Sequence, residues 1–203
     1  MNKKWTFLSG GGLDSAAYII LKHNEIKNVV VIDYGQYPYL FELSMTKFWA
    51  NEYNLPITIL KDDNIKKYNL QQCMLFSGNI EDNAYVNGRN LSFIMDALTV
   101  GDNIMLGFTN PGYTPFPDAD EQFLCDINDI IKRVFNREIH IDAPYIHTLR
   151  TDVFREAYKK DSRFFDYNAT CWTPVKVGEN FQNCGKCKHC KLLEEQKSLI
   201  LGV

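Results

Sequence analysis

Four cysteines, Cys171, Cys184, Cys187 and Cys190, fall in the pattern C-x12-C-x2-C-x2-C. Four thiolates at such spacing can surround one tetrahedral Zn²⁺ and leave no position open for a reacting molecule, so the expected role is structural. Core packing does not explain three closely spaced thiols separated by small and basic residues. Lys186, Lys188 and Lys191 would offset the negative charge of a four-thiolate site. A redox cluster and an iron–sulfur site are the competing uses of these thiols. The second chemical signal stands near the N-terminus, in Phe7-Leu8-Ser9-Gly10-Gly11-Gly12-Leu13-Asp14-Ser15. This reads as a strand running into glycines and then into a helix. Glycines let backbone N–H groups close on phosphate oxygens without a Cβ in the way, and the helix N-terminus adds a favourable field for an anion. Asp14-Ser15 after the glycines makes the signal more specific than an ordinary strand-to-helix turn. No Gly-Lys-Ser/Thr follows, so it is not a Walker loop.

The elements that must position these groups follow a βαβ rhythm. Short β-branched or aromatic runs at Trp5 to Leu8, Val29 to Ile32, Ile57 to Leu60, Ile104 to Phe108 and Ile139 to Ile141 predict about five parallel strands. Between them Ser15 to His23, Leu40 to Tyr53, Leu91 to Thr99 and Glu121 to Phe135 carry apolar residues at three- and four-residue spacing, as crossover helices do. The unbroken Val29-Val30-Val31-Ile32 predicts a strand covered on both faces, central in a doubly wound α/β sheet. Ligands in such sheets bind at the carboxyl ends of the strands. Thr109 to Asp120 is rich in Pro and Gly and reads as a binding loop. The chain is helical again from Arg150, irregular from about Tyr167 through Gln182, and helical from about His189 to Leu201.

A length of 203 residues fits one domain, 1–203, with residues 167–203 as a metal-binding subregion of it. With 22 basic and 25 acidic residues the net charge is −3, which offers no general attraction for nucleic acid or anionic membrane. There is no signal-peptide pattern and no apolar stretch of the ~18 residues that a membrane span needs. A cytoplasmic, reducing location is expected, with thiolates rather than disulfides. Cys73 and Cys125 are expected as small buried apolar residues.

The phosphate loop resembles the Ser-Gly-Gly-x-Asp-Ser motif of the PP-loop ATP pyrophosphatases. Counting back from Asp14-Ser15, Gly10 falls where that motif has its Ser. Within the superfamily the chain is similar to the 7-cyano-7-deazaguanine synthase, or QueC, family along nearly its whole length. Asp33-Tyr34-Gly35-Gln36 matches the family's Asp-Tyr-Gly-Gln, and Val86-Asn87-Gly88-Arg89-Asn90 resembles its Val-Pro-x-Arg-Asn. Gly107 with Tyr113, Phe116, Pro117 and Asp118 resembles its substrate loop, and Thr170-Cys171 with the later cysteines resembles its structural zinc site. The departures are Tyr37-Pro38 for Arg-His, Asn87 for Pro, Ala119-Asp120 for Cys-Arg, and Arg150 for a Lys.

The resemblance implies an ATP-dependent ligase that adenylates 7-carboxy-7-deazaguanine and couples it to ammonia, giving the amide and then the nitrile. Ser9, Gly10, Gly11, Gly12, Leu13, Asp14 and Ser15 would hold pyrophosphate, with Asp14 touching Mg²⁺ carried by ATP. The alternative for Asp14 is a first-turn helix acid. Asp33 to Gln36 would lie under adenosine, or form only a strand-ending turn. Arg89 would meet a phosphate or the substrate carboxylate, or make a surface ion pair. Asn90, Tyr113, Phe116 and Asp118 would frame the deazaguanine, with ordinary loop packing the alternative for the aromatics. Arg150 would neutralise phosphate charge or cap local structure, and Asp120-Glu121 reads as an acidic first turn. A homodimer is implied, with no membrane or direct nucleic-acid partner. The altered pocket keeps three other readings open: a variant that stops at the amide or uses a peptide or protein amine, a tRNA-modifying PP-loop enzyme, and a nucleotide-binding protein without catalysis.

Overall fold

The computed structural model describes residues 4–68, 86–112 and 116–202. Tyr113 and Cys73 lie outside the described residues. The elements run β1 (Trp5–Leu8), α1 (Leu13–Lys22), β2 (Ile26–Asp33), α2 (Tyr39–Glu52), β3 (Ile57–Lys61), α3 (Ile65–Tyr68) and α4 (Arg89–Ala97). They continue through β4 (Asn103–Met105), β5 (Thr109–Asn110), α5 (Glu121–Val134), β6 (His140–Asp142), β7 (Tyr145–Leu149), α6 (Arg150–Lys160), β8 (Val175–Val177), β9 (Asn180–Gln182) and α7 (Lys188–Leu201).

Five strands form one sheet in the order β3-β2-β1-β4-β6, and every pairing in it is parallel. The doubly wound α/β class expected from the sequence is thus the observed one. The chain steps outward from β1 through β2 to β3, then returns to place β4 on the other side of β1. That reversal opens a crevice at the carboxyl ends of β1 and β4, and the glycine loop after β1 lies at its mouth. β2 is covered on both faces: Val29, Val30 and Val31 are fully buried. Around it Phe7, Tyr18, Trp49, Phe154 and Phe164 are also fully buried, each contributing about 1.5–3 kcal/mol relative to an exposed side chain.

Three features differ from expectation. Residues 175–182 are not irregular, because Val175–Val177 and Asn180–Gln182 form an antiparallel hairpin around Gly178, whose φ is +63°. A two-residue connection with positive φ matches the twist of the flanking strands. Thr109-Asn110, inside the expected loop, pairs in parallel with β7. Cys125 is exposed rather than buried: α5 buries Ile127 and Ile131, and two residues back from Ile127 is about 200° around a helix.

Candidate functional site

The glycine loop is braced from behind by its own hydroxyls. Ser9, buried at the end of β1, shares a hydrogen bond with Thr46 at 2.8 Å and accepts one from Gly11 N at 3.3 Å. Its hydroxyl therefore faces the fold. Ser15 Oγ accepts from Gly10 N at 3.0 Å and closes the loop onto α1. Gly11 has φ +68°, and a Cβ there would lie 2.4 Å from the Glu42 carbonyl oxygen. A Cβ on Gly10 would meet nothing within 4 Å, so the position where the PP-loop motif has Ser has room for one. Leu13 opens α1, and its N–H is donated to Thr170 Oγ1 at 3.3 Å.

Beside the loop, Asp14 and Arg150 meet across a long sequence separation. Arg150 Nε stands 3.2 Å from Asp14 Oδ1 and also donates to Thr109 Oγ1 at 3.2 Å. Thr109 in turn donates to the same Asp14 oxygen at 2.7 Å. Thr109 is 6% exposed, so this hydroxyl is fixed between acid and base. Asp14 and Arg150 each stand in a first helical turn, and the two are paired directly. Adjoining them is a cleft of about 260 Å³ lined by Thr109, Asn110, Ala119, Asp120, Glu121 and His147 among others. Asp120 caps α5 by accepting from Phe123 N at 2.8 Å, which explains an acid at that position. Glu121 lies 3.6 Å from His147.

A second cluster gathers around Arg89. Its guanidinium donates to the Tyr34 hydroxyl at 3.5 Å. Burial works against its charge, and Tyr34, Asp118 and Glu42 outweigh it and raise its pKa. Asn90 ties this helix to the loop beyond β5: its N–H donates to Asp118 Oδ2 at 3.3 Å and its side-chain amide to Asp118 O at 2.7 Å. The Asp33 to Gln36 turn is held from within. Gly35 N donates to Asp33 Oδ1, Tyr34 N to Gln36 Oε1, and Gln36 Nε2 to Ile32 O and Glu42 Oε2. Glu42 is the residue that joins the two clusters, with its backbone against Gly11 and its carboxyl facing Gln36 and Arg89. Enclosure pushes that carboxyl up to about 7, against the lowering effect of Gln36 and Arg89. Phe116 is half exposed at the loop surface.

Residues 4–197 match the family model described as Queuosine biosynthesis protein QueC. The chain belongs to this family. Among curated relatives, the 7-cyano-7-deazaguanine synthase of Pyrococcus abyssi is 26% identical, with 97% of this chain and 92% of that protein aligned. The enzyme of that name from Buchnera aphidicola subsp. Schizaphis graminum is also 26% identical, over 94% of this chain and 88% of its own. A solved structure, U34-tRNA thiolase NcsA from Methanococcus maripaludis with its 4Fe-4S cluster, overlays with TM-score 0.47 and 11% identity, covering 99% of this chain and 70% of that one. An overlay that loose has no bearing on the chemistry.

The four cysteines expected as metal ligands converge in this QueC-family chain. Their sulfurs all lie within 4.8 Å of one another, with Cys171 to Cys187 and Cys184 to Cys190 at 3.9 Å and Cys187 to Cys190 at 3.5 Å. Hydrogen bonding from Cys171 pulls the Cys187 thiol down to about 4, and the same contact, with burial, pushes Cys171 well up. Sulfurs this close share protons because they cannot all ionise without a cation among them. The donor set therefore fits a bound metal. The knot packs on Phe41 and Met45 of α2 and on Phe181 of β9.

Sequence reasoning missed Glu42, and it placed Thr109 in the expected binding loop and Thr170 beside the first cysteine without giving either a contact of its own. Glu42 carried a signal, as an isolated acid within the apolar opening of α2, Tyr39-Leu40-Phe41-Glu42-Leu43. The contacts of Thr109 and Thr170 carried none, because their partners are 95 and 157 residues away.

Proposed function

We propose that the chain is an ATP-dependent ligase that adenylates 7-carboxy-7-deazaguanine and couples it to ammonia, forming the amide and then the nitrile. The observation that carries this reading is a glycine loop at the carboxyl end of β1, the middle strand of the sheet, in a chain that matches the QueC family over residues 4–197. The substrate carboxylate attacks the α-phosphorus of ATP and pyrophosphate leaves. Ammonia then displaces AMP to give the amide, and a second adenylation on the amide oxygen lets that oxygen leave with AMP. The loop from Ser9 to Ser15 takes the pyrophosphate at the start of α1, where the first-turn N–H groups have no intrahelical partner. Gly10, Gly11 and Leu13, whose N–H groups are donated to Ser15, Ser9 and Thr170, shape the loop. Asp14 would hold Mg²⁺ carried by ATP, and Arg150, paired with Asp14, would balance phosphate charge. Asp33 to Gln36 supports the adenosine. Arg89 and Asn90 serve the carboxylate end of the deazaguanine, and Asp118 accepts from its amidine-like edge with Tyr113 or Phe116 against its face. Positioning and charge stabilisation do most of this work.

Zinc is the reading we favour for the cysteine knot. Bonds of about 2.3 Å around a tetrahedral ion set sulfurs about 3.8 Å apart, close to the 3.5–3.9 Å of three sulfur pairs here, with all four sulfurs within 4.8 Å of one another. In a 4Fe-4S cluster each thiolate binds a different iron, which spreads the sulfurs further. A cytoplasmic homodimer accords with this reading, and no helix among the described residues is long and apolar enough to cross a membrane.

A second reading, coupling to a peptide or protein amine, is favoured by the cleft with Asp120 and Glu121 on its wall, which suits a cationic amine. Product mass separates the two. With ATP, Mg²⁺, 7-carboxy-7-deazaguanine and ammonium, nitrile is the expected product. An adduct that needs an added peptide or protein amine supports the second reading, and either that adduct or amide without nitrile overturns the first.

A further inference from the structure

A short strap, Asn168-Ala169-Thr170-Cys171, joins the cysteine knot to the phosphate loop. Ala169 N donates to Gly11 O at 2.8 Å. Thr170 Oγ1 accepts from Leu13 N at 3.3 Å and lies 3.7 Å from where a Cβ on Gly12 would stand. Asn168 is 2% exposed and fixes the strap, accepting from Thr170 N at 3.2 Å and donating to Phe165 O at 2.9 Å. The next residue, Cys171, belongs to the knot and accepts from Cys184 N at 3.2 Å. The knot reaches the loop by a second route too. It packs on Phe41 and Met45, and Glu42 between them is the wall against Gly11.

Leu13 N is one of the amide groups that a helix start leaves without an intrahelical partner. Gly12, at the cap position, has no side chain to satisfy it. Thr170 supplies that cap from 157 residues away. A hydroxyl that accepts from Leu13 N still has its own proton to donate, and at this place the natural acceptor is a phosphate oxygen. A cap donated by the knot's own strap makes the loop's shape depend on the knot.

We propose that Thr170 is a positioning residue of the phosphate site, and that the Asn168–Cys171 strap couples metal held by the four cysteines to nucleotide held by the loop. Each ligand binds more tightly when the other is in place, by the same factor in both directions. The inference rests on the reading that the loop holds the phosphates of ATP. It goes beyond that reading by giving the metal a measurable influence on nucleotide affinity.

The test uses the zinc-loaded protein. Zinc release to a chromogenic chelator is followed with and without Mg²⁺–ATP, while ATP affinity is measured by calorimetry. ATP is expected to slow zinc release several-fold. Thr170→Val, which keeps shape and removes the hydroxyl, is expected to retain full zinc content, lose ATP's effect on release and bind ATP several-fold more weakly. Thr170→Ser should restore both. ATP itself chelates metal, so the Val variant measured in parallel sets the baseline. If ATP binds the wild-type protein but leaves zinc release unchanged, the coupling is overturned while the loop reading stands. If ATP does not bind the wild-type protein, both fall together. A Val variant that responds to ATP as wild type does overturns the role of Thr170.

Discussion

Adjacent glycines in the phosphate loop differ in what they tolerate. A Cβ on Gly11 would collide with the Glu42 backbone and would need φ +68°, whereas a Cβ on Gly10 meets open space. Left-handed backbone alone costs an alanine about 1–2 kcal/mol, and the overlap adds to it. At this chain length each kcal/mol lowers Tm by about 2–4 °C. Gly11→Ala is therefore expected to lower Tm by several degrees and weaken ATP binding, while Gly10→Ser leaves both near wild type, as calorimetry would show. Glu42 gives a pH prediction. Its carboxyl lies at about 7 in the folded chain against 4.5 ordinarily, so the folded state binds more protons than the unfolded state between those values. Its contribution to stability is complete below about pH 4.5 and is lost as pH rises through about 7. Glu42→Gln should lack that loss, and its Tm relative to wild type should rise between those pH values. Equal pH profiles for the two proteins would contradict the enclosed carboxyl. At this scale the glycine loop was legible from its own residues, whereas Arg89 was singled out only through the family resemblance of Val86 to Asn90. Glu42 and Thr109 act through contacts that only the fold creates.

Among the elements, the strands of the main sheet and the long helices were legible to within a few residues, since their apolar periodicity is set by burial on the sheet. The β8–β9 hairpin was not, because Val175 and Val177 are half exposed and form no apolar stripe. Nor was the pairing of β5 with β7, which joins residues on either side of α5. That small sheet places Thr109 between Asp14 and Arg150. Helix α5 is capped at its start by the Asp120 carboxylate, which accepts from Phe123 N. Asp120→Ala should cost about 1 kcal/mol, read as a lower midpoint in urea denaturation. Asp120→Asn, which can still cap, should stay near wild type. An unchanged midpoint in the alanine variant would show that the cap contributes nothing.

For the molecule as a whole, the C-terminal knot and the N-terminal loop are the ends of the chain brought to one place. The cysteine spacing identified the ligands, but not that Ala169 and Thr170 would touch the loop. Cys187, central in the knot and fully buried, should be the least replaceable ligand. Cys187→Ser is expected to lose zinc by elemental analysis and to unfold at lower temperature. A folded variant with full zinc content would contradict the four-cysteine site. The central claim is adenylation of a carboxylate, and its most direct measurement is the fate of ATP. The protein is incubated with Mg²⁺–ATP with and without 7-carboxy-7-deazaguanine, and the phosphorus products are separated. AMP and pyrophosphate that appear only with the carboxylate are the predicted result. ADP and orthophosphate, or no cleavage of ATP in the presence of the carboxylate, would contradict it.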